Sequence, residues 1–429
     1  MGKSIPVAKS LTADEHPHIT TLPNGLTVLL EPLSHIHSAT VGVWIKTGSA
    51  CEAAPISGIC HLIEHLLFKG TLKRSARQIM QEVESRGGHL NAFTSREHTC
   101  LYAKVLGEHI KKTIEVLADI IKNSQFYDLE KERNVVLEEI ASTEDIPEEY
   151  VHDLFVSSIW PEHALGRPIA GTQDTVSAIT IEDIWTHYRN TYRPENICIS
   201  VAGRFDQKAV LDLISREFGD MGGSLVALAS DPVIYSAGTT FVERDISQVH
   251  LCVGFPGPTA TSPKRYLYDV LSNILGGGST SRLFERIRED EGLAYSIYSF
   301  HSCYTPAGYL GVYAATAPEN VDLTLELAFE ELRKIRDQKV DVEEMNLNRE
   351  QIKGNILMAL ESSYHRMSRM ARMYLYYGRV LSVAEVVDAI EAVTAEAVID
   401  ESQQLFRPEN CVMTLIGPPD KQKTRKIAL

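Results

Sequence analysis

A segment of the chain recurs at a distance of half its length, and this internal repeat constrains the fold more than any other feature. Residues 192–203 read Tyr-Arg-Pro-Glu-Asn, then an apolar run, then Gly203. Residues 406–417 read Phe-Arg-Pro-Glu-Asn, then an apolar run, then Gly417. The second copy lies 214 residues after the first in a chain of 429. Because that period is too long for a solenoid, each half is expected to be one domain of the same fold.

The repeat sets the expected domain boundaries. They are an N-terminal extension at 1–17, a first domain at 18–220, a linker at 221–238, a second domain at 239–420 and a tail at 421–429. Apolar β-branched runs predict strands and longer periodic segments predict helices, among them single helices over 279–290 and 382–405. This mixture predicts an α+β fold in which each domain is a mixed, mainly antiparallel sheet backed by helices. The two domains are expected to face each other like a clamshell.

Charge, hydropathy and cysteine content argue against several classes of protein. The formal net charge is −15, and a nucleic-acid backbone requires a basic face, so nucleic acid is not an expected partner. No apolar run approaches the roughly 20 residues that span a membrane, so no membrane partner is expected either. The seven cysteines are scattered singly and the N-terminus has no signal or transit pattern, which predicts a cytoplasmic protein.

The helix predicted over 57–69 carries the strongest chemical signal. Its apolar residues recur at helical spacing, and His61, Glu64 and His65 lie on the opposite side, with Ser57 as the expected N-terminal cap. Histidines four residues apart are neighbours on a helix and can bind one ion. In the order His-x-x-Glu-His, the glutamate can act as a general base on a zinc-bound water. The alternative is a solvated polar face.

Catalytic zinc needs three protein ligands, so a third ligand is expected elsewhere in the first half. The helix predicted over 128–144 offers several carboxylates. Glu139 lies on the same stripe as Glu132, near the edge of the apolar side, whereas Glu138 points away from it. Glu139 can therefore face an interior site. From these residues alone, three solvated carboxylates remain the alternative.

The motif at 61–65, with Phe-Lys-Gly-Thr at 68–71, resembles the inverted zinc metallopeptidases: pitrilysin, insulysin and the mitochondrial processing peptidase β subunit. The segment at 132–139, Glu-Arg-x-x-Val-x-x-Glu, is similar to the downstream motif of that family. The resemblance implies that His61, His65 and Glu139 bind one Zn²⁺ per chain and that Glu132 supports catalysis from behind the ligands. The short gap between the two motifs leaves Glu138 as a minor alternative to Glu139.

Two further segments look like substrate-binding parts of the same family. Residues 87–95 resemble its edge strand, which implies that Asn91, Ala92 and Phe93 pair with the substrate backbone. In the second half, Arg288 and Tyr295 resemble the arginine and tyrosine that bind a substrate carbonyl or the developing oxyanion. The second half has no His-x-x-Glu-His of its own, so the first domain is expected to hold the metal and the second to help hold the substrate.

The resemblance implies a zinc-dependent endopeptidase that hydrolyses unfolded peptides or presequence-like segments. Glu64 would activate a zinc-bound water and then pass the proton to the leaving amine. Members of this length pair two chains, which implies a homodimer or a heterodimer with a homologous chain. One alternative is an inactive peptidase-like partner or scaffold subunit, although such members typically lose zinc ligands or the catalytic glutamate. Another is a zinc hydrolase that acts on a non-peptide substrate.

Overall fold

The computed structural model describes residues 17–223, 232–419 and 429. Nearly all of the predicted N-terminal extension and tail, and part of the predicted linker, lie outside the described residues. The chain forms two compact units, each built from three segments. Within the described residues these are 17–141, 167–223 and 358–382 for the first unit, and 142–166, 232–357 and 383–419 for the second.

The first unit is built on a six-stranded sheet with the strand order β1-β2-β6-β3-β5-β4. Neighbouring strands are antiparallel except β2 and β6, which are parallel. The strands are β1 (His18–Thr21), β2 (Thr27–Pro32), β3 (Ser38–Ile45), β4 (His89–Thr94), β5 (Thr99–Leu106) and β6 (Ile197–Gly203). The helices are α1 (Ile59–Leu67), α2 (Ala76–Glu84), α3 (Ile110–Asn123), most of α4 (Leu129–Asp145), α6 (Gln173–Ala178), α7 (Ile181–Thr191), α8 (Gln207–Phe218) and α12 (Ser363–Tyr377).

Helices cover both faces of this sheet. Alternate residues of β3, such as Val41 and Val43, join the larger core together with residues of α1 and α3. Trp44, the residue after Val43, points to the other face, where it packs with Met367 of α12. The Ser200 hydroxyl donates to the Met367 carbonyl over 2.9 Å, which satisfies a polar group on a buried strand. Burial on both faces explains why the inner strands β2, β3 and β6 read as nearly continuous apolar runs.

The second unit contains a five-stranded sheet with the strand order β7-β11-β8-β10-β9. Here β7 and β11 are parallel and the other neighbours are antiparallel. The strands are β7 (Gly238–Glu243), β8 (Val249–Gly257), β9 (Ala294–Cys303), β10 (Gly308–Thr316) and β11 (Val412–Gly417). The helices are α5 (Pro147–Ile159), α9 (Arg265–Gly276), α10 (Val321–Asp337), most of α11 (Val342–Ala359), α13 (Val383–Glu391) and α14 (Ala395–Leu405), with a π-helical segment at Phe284–Asp290.

The element order repeats between the two units, which confirms the repeat and the predicted fold class. The repeated sequence forms the end of α7 and strand β6 in the first unit, and the end of α14 and strand β11 in the second. Both helices are capped by a threonine, Thr180 or Thr394. Both strands run parallel to one neighbour and antiparallel to the other. By the same order, α9 corresponds to α1, β9 to β4 and α11 to α4.

Several details differ from the expectations. The predicted boundaries treat each half as one continuous stretch, but residues 142–166 belong to the second unit and 358–382 to the first, because each sheet is covered by a helix from the other half. The helix predicted over 382–405 is two helices, α13 and α14, divided at the cap Thr394. The helix predicted over 279–290 forms a π-helical segment only from Phe284. No helix in the described part of the chain is long and apolar enough to cross a membrane.

Candidate metal centre

Helix α1 begins at a backbone geometry that only glycine accepts. Its cap residue Gly58 has a φ of 94°, and a Cβ there would collide with the carbonyl oxygen of Ala170. The prediction that Ser57 caps this helix is wrong, because the Ser57 hydroxyl is buried and has no hydrogen-bond partner among the described residues. The carboxylate of Glu52 caps the helix instead, accepting from the backbone N–H groups of Gly58 over 2.7 Å and Cys60 over 2.8 Å.

Glu52 is a buried carboxylate that sequence reasoning missed. Its side chain caps α1 from across a loop, so it has none of the local spacing that identifies an ordinary cap. Burial raises the pKa of Glu52 to about 7, and the two backbone hydrogen bonds oppose that rise. Arg167 lies beside it and donates to the Glu52 carbonyl oxygen. The two backbone hydrogen bonds to Glu52 fix the first turn of the helix that carries His61.

The structure brings together His61 and His65 of α1 with Glu139 of α4. His61 Nε2 lies 3.6 Å from Glu139 Oε1, and His65 Nε2 lies 3.5 Å from Glu139 Oε2. One ligand atom from each of the three side chains lies within 4.8 Å of the others. Glu138, the alternative third ligand, is exposed like Glu139 but is not part of this group among the described residues.

These separations fit a tetrahedral metal ion. Two donor atoms that share a tetrahedral zinc ion lie about 3.3 Å apart, close to the observed spacing. The spacing is longer than an ordinary N–H···O hydrogen bond. His61 Nδ1 is buried and has no hydrogen-bond partner among the described residues. Two imidazoles and one carboxylate are a donor set that catalytic zinc sites use.

The protonation states of the group favour metal binding. Burial lowers the pKa of His61 to about 4, so its imidazole is neutral at pH 7 and can act as a ligand. The adjacent His65 ring lowers the pKa of Glu139, which is therefore ionised. The nearby Glu139 carboxylate in turn raises the pKa of His65, so a proton and a metal ion compete for that ring.

Behind His65 lies a second carboxylate, Glu132, which the structure buries to 2% exposure. Its Oε2 is 3.6 Å from His65 Nδ1 and 2.9 Å from Lys69 Nζ. A carboxylate at the far nitrogen of a histidine fixes the ring so that the other nitrogen faces the metal. Lys69 compensates the buried charge. Its part in the site was not predicted, although Lys69 stands in the segment that resembles the family.

Glu64 lies beside the two histidines, and within the described part of the chain only one of its two carboxylate oxygens accepts a hydrogen bond. The hydroxyl of Thr94, at the end of β4, donates to Glu64 Oε2 over 2.5 Å. Burial raises the pKa of Glu64, and the Thr94 bond opposes that rise. A carboxylate with a raised pKa is suited to take up a proton near neutral pH.

Strand β4 occupies an edge of the first sheet and pairs with β5 alone among the described strands. The exposed Asn91 accepts a hydrogen bond from the Ala92 backbone N–H over 2.8 Å. The Phe93 ring packs edge-on against Trp44, with the ring centroids 5.5 Å apart. The edge position is the one that strand addition requires, and substrate pairing at these three residues stays a prediction.

Arg288 and Tyr295 lie together in the second unit. Arg288 Nη1 donates to the Tyr295 carbonyl oxygen over 2.7 Å. The guanidinium lies 4.7 Å from the Phe284 ring centroid and 4.6 Å from that of Tyr295. The Tyr295 side chain is 78% exposed, so its hydroxyl is available to a ligand. That these two residues bind substrate stays a prediction.

Comparison with known proteins places the chain in a family. Residues 27–173 match the model of the insulinase family, peptidase family M16, and residues 178–352 match the model described as the peptidase M16 inactive domain. The chain is 37% identical to the uncharacterized zinc protease YmxG of Bacillus subtilis over 93% of this chain and 97% of that protein. It is also 37% identical to an uncharacterized zinc protease of Streptomyces coelicolor, over 95% of this chain and 91% of that protein.

A solved structure shows the same fold. A protease from Helicobacter pylori superposes with a TM-score of 0.88 at 22% identity, covering 94% of this chain and 99% of that chain. The alignment with YmxG spans nearly the full length of this chain and of that relative, so the match extends through both units. The chain therefore belongs to peptidase family M16, the insulinase family, which confirms the resemblance drawn from its sequence.

Proposed function

We propose that this chain is a zinc-dependent endopeptidase that hydrolyses unfolded peptides or presequence-like segments, with Glu64 as the general base. The observation that carries the proposal is the grouping of His61, His65 and Glu139, with one ligand atom from each within 4.8 Å of the others. Zinc is the metal we assign, because the relatives at 37% identity are named zinc proteases. One ion per chain follows from the single group of this kind among the described residues.

Each residue around the metal has a separate role in peptide hydrolysis. When bound, zinc supplies Lewis-acid chemistry, acidifying water and polarising a peptide carbonyl. Glu64 takes the proton of the attacking water and then delivers it to the leaving amine nitrogen. Glu132 holds the His65 ring in the orientation that presents Nε2.

The substrate side of the proposal rests on strand β4 and on the second unit. A peptide that adds to the edge of the sheet at Asn91, Ala92 and Phe93 would be bound through its main chain, which favours extended, unfolded substrates. Arg288 and Tyr295 would hold a substrate carbonyl or the developing oxyanion. Pairing with a second chain, as a homodimer or with a homologue, is part of the proposal, as is a cytoplasmic location.

The second candidate is an inactive peptidase-like partner or scaffold subunit. The match of residues 178–352 to a model described as an inactive domain leaves this candidate open. Against it, all three ligand positions and Glu64 are intact in the first unit. The two candidates differ in one property, cleavage of an unstructured peptide by metal-loaded protein.

The test combines metal content with peptide cleavage. Purified wild-type protein should contain about one zinc per chain and cleave an unstructured fluorogenic peptide. Glu64→Gln should keep the zinc and lose cleavage, whereas His61→Ala with His65→Ala should lose both. Glu138→Gln, a matched change at the exposed neighbour of Glu139, should alter neither. Full cleavage by Glu64→Gln would overturn the role of Glu64, and zinc-loaded wild type without cleavage would favour the inactive partner.

A further inference from the structure

The hydroxyl of Thr94 binds one of the two oxygens of Glu64 and leaves the other open. Thr94 Oγ1 donates to Glu64 Oε2 over 2.5 Å, a length typical of a hydrogen bond to an ionised acceptor. Glu64 Oε1 accepts no hydrogen bond from any residue that the structure describes. One oxygen is therefore held in place while the other remains available to a water molecule.

The position of Thr94 is itself fixed by its strand and by the turn that follows. Thr94 is the last residue of β4 and lies opposite Thr99, whose hydroxyl donates to the Thr47 carbonyl oxygen over 2.9 Å. The turn closes with a backbone hydrogen bond from Ser95 N–H to the His98 carbonyl over 2.8 Å. A second bond to that carbonyl comes from the Ser95 hydroxyl, also over 2.8 Å.

The same turn is tied to the loop that leads into α1. The Ser49 N–H donates to the Ser95 carbonyl over 3.2 Å, and the Ala50 N–H donates to the Arg96 carbonyl over 2.8 Å. Gly48 allows this approach, because a Cβ there would collide with the Ser95 carbonyl oxygen. Both ends of the Thr94–Glu64 bond are thus anchored by backbone contacts, which makes the separation a property of the fold.

We propose that Thr94 is a positioning residue for Glu64: its hydroxyl fixes the base from the end of the edge strand that pairs with substrate. The inference rests on the proposed function, because it assigns Glu64 and β4 the roles given there. A threonine suits the position, since its branched side chain is stiff about χ1 and is favoured in strands. Thr94 thus joins the edge strand β4 to the base, and its role is to hold Glu64 without contacting substrate.

The test compares Thr94→Val, which keeps the shape and removes the hydroxyl, with Thr94→Ser, which keeps the hydroxyl. For Thr94→Val we expect kcat to fall about 10- to 100-fold, the effect of misplacing a catalytic group by about an ångström. KM and zinc content should stay at wild-type values. Thr94→Ser should restore most of the lost kcat. Thr21→Val, on the exposed strand β1 at the opposite edge of the sheet, serves as the matched control and should leave kcat unchanged.

A binding measurement separates positioning from substrate contact. Peptide affinity is measured for Glu64→Gln and for Glu64→Gln combined with Thr94→Val, and equal affinities are expected because Thr94 acts through Glu64. The inference is overturned if Thr94→Val keeps wild-type kcat, if it raises KM instead, if Thr94→Ser does not restore activity, or if the second variant binds peptide more weakly. These outcomes leave the proposed function intact when wild type cleaves and Glu64→Gln does not. A wild type that cleaves no peptide overturns both.

Discussion

In the first unit, helices α1 and α4 face each other through His61 and Glu139, whereas in the second unit the corresponding helices α9 and α11 meet through Asn273 and Asn348. The histidine and carboxylate atoms are 3.6 Å apart, beyond an ordinary hydrogen bond. The Asn273 amide donates to Asn348 Oδ1 over 2.7 Å, and also to Gln351 Oε1 over 3.0 Å. The same pair of helices is joined directly in one unit and leaves room for an ion in the other.

The difference shows that the side chains between the two helices, and not the helix pair itself, decide whether a unit can bind a metal ion. Amide groups carry both donors and acceptors, so they satisfy one another without a cation. A neutral imidazole nitrogen and an ionised carboxylate are both acceptors on their metal-facing sides, so a proton or a cation must lie between them. The fold supplies the helix pair, and a few side chains decide which unit can hold zinc.

The largest effect should come from removing the third ligand. Glu139→Gln is expected to weaken zinc binding far more than the roughly 10- to 100-fold loss seen when an outer partner is removed. The measurement is competition with a chelator of known affinity. The neighbouring change Glu138→Gln should leave zinc affinity at the wild-type value, and equal losses in the two variants would contradict the assignment.

The buried side chain of Glu52, which caps α1, is expected to make the free energy of unfolding of the first unit depend on pH. Glu52 keeps its proton up to about pH 7 in the folded chain, against a usual pKa of 4.5, so the free energy of unfolding should fall as pH rises between those values. The expected size is on the order of 3 kcal/mol over this window. Helix α9 has a lysine, Lys264, at its cap and no side-chain hydrogen bond there.

This pH effect is measured as the difference between wild type and Glu52→Gln in denaturant unfolding at several pH values. The subtraction is needed because buried histidines act in the opposite direction: burial lowers the pKa of His98 to about 3 and that of His187 to about 4. Their contribution to stability grows as pH rises, and both proteins share it. Parallel pH profiles for wild type and Glu52→Gln would contradict the role of Glu52.

Removing the carboxylate behind His65 should have a smaller effect on the metal. Glu132→Gln is expected to weaken zinc binding by about 10- to 100-fold, because the His65 ring loses its partner at Nδ1. Chelator competition gives the value. The matched variant Glu130→Gln alters an exposed carboxylate of the same helix and should leave the affinity unchanged. An unchanged affinity in Glu132→Gln would show that Glu132 does not orient the ring.

The smallest effect should be in the second unit. Asn273→Ala removes the amide that joins α9 to α11 and should lower the free energy of unfolding by about 1 kcal/mol. Zinc content and affinity should not change, because the amide contact belongs to a unit without the ligand set. Thermal unfolding and metal analysis measure the two quantities. A loss of zinc in this variant would contradict the division between the units.

The features of the fold and of the metal centre that the sequence predicted depend on local spacing. Helical periodicity placed His61, Glu64 and His65 on one side of α1, and the structure brings both histidines to Glu139. The same reasoning favoured Glu139 over Glu138, since residues one apart on a helix point in different directions. The repeat of Arg-Pro-Glu-Asn predicted that both halves share a fold, because that segment ends in the same strand of each sheet.

The features that the sequence did not predict depend on contacts between distant residues. Helix α12 covers the first sheet with a narrow apolar stripe that includes Met367 and Met370, too few residues to identify it as a buried helix. The contact between Thr94 and Glu64 joins positions 30 residues apart, and the cap by Glu52 crosses a loop. Neither contact has a periodic signal along the chain.

The most direct test of the metal centre is an anomalous difference map from crystals of the zinc-loaded protein, collected at the zinc absorption edge. We predict one peak per chain, about 2.0–2.2 Å from His61 Nε2, His65 Nε2 and a Glu139 oxygen. The peak should be absent in the variant with His61→Ala and His65→Ala. A peak bound by other residues, or no peak in crystals of protein saturated with zinc, would contradict the assignment of these three ligands.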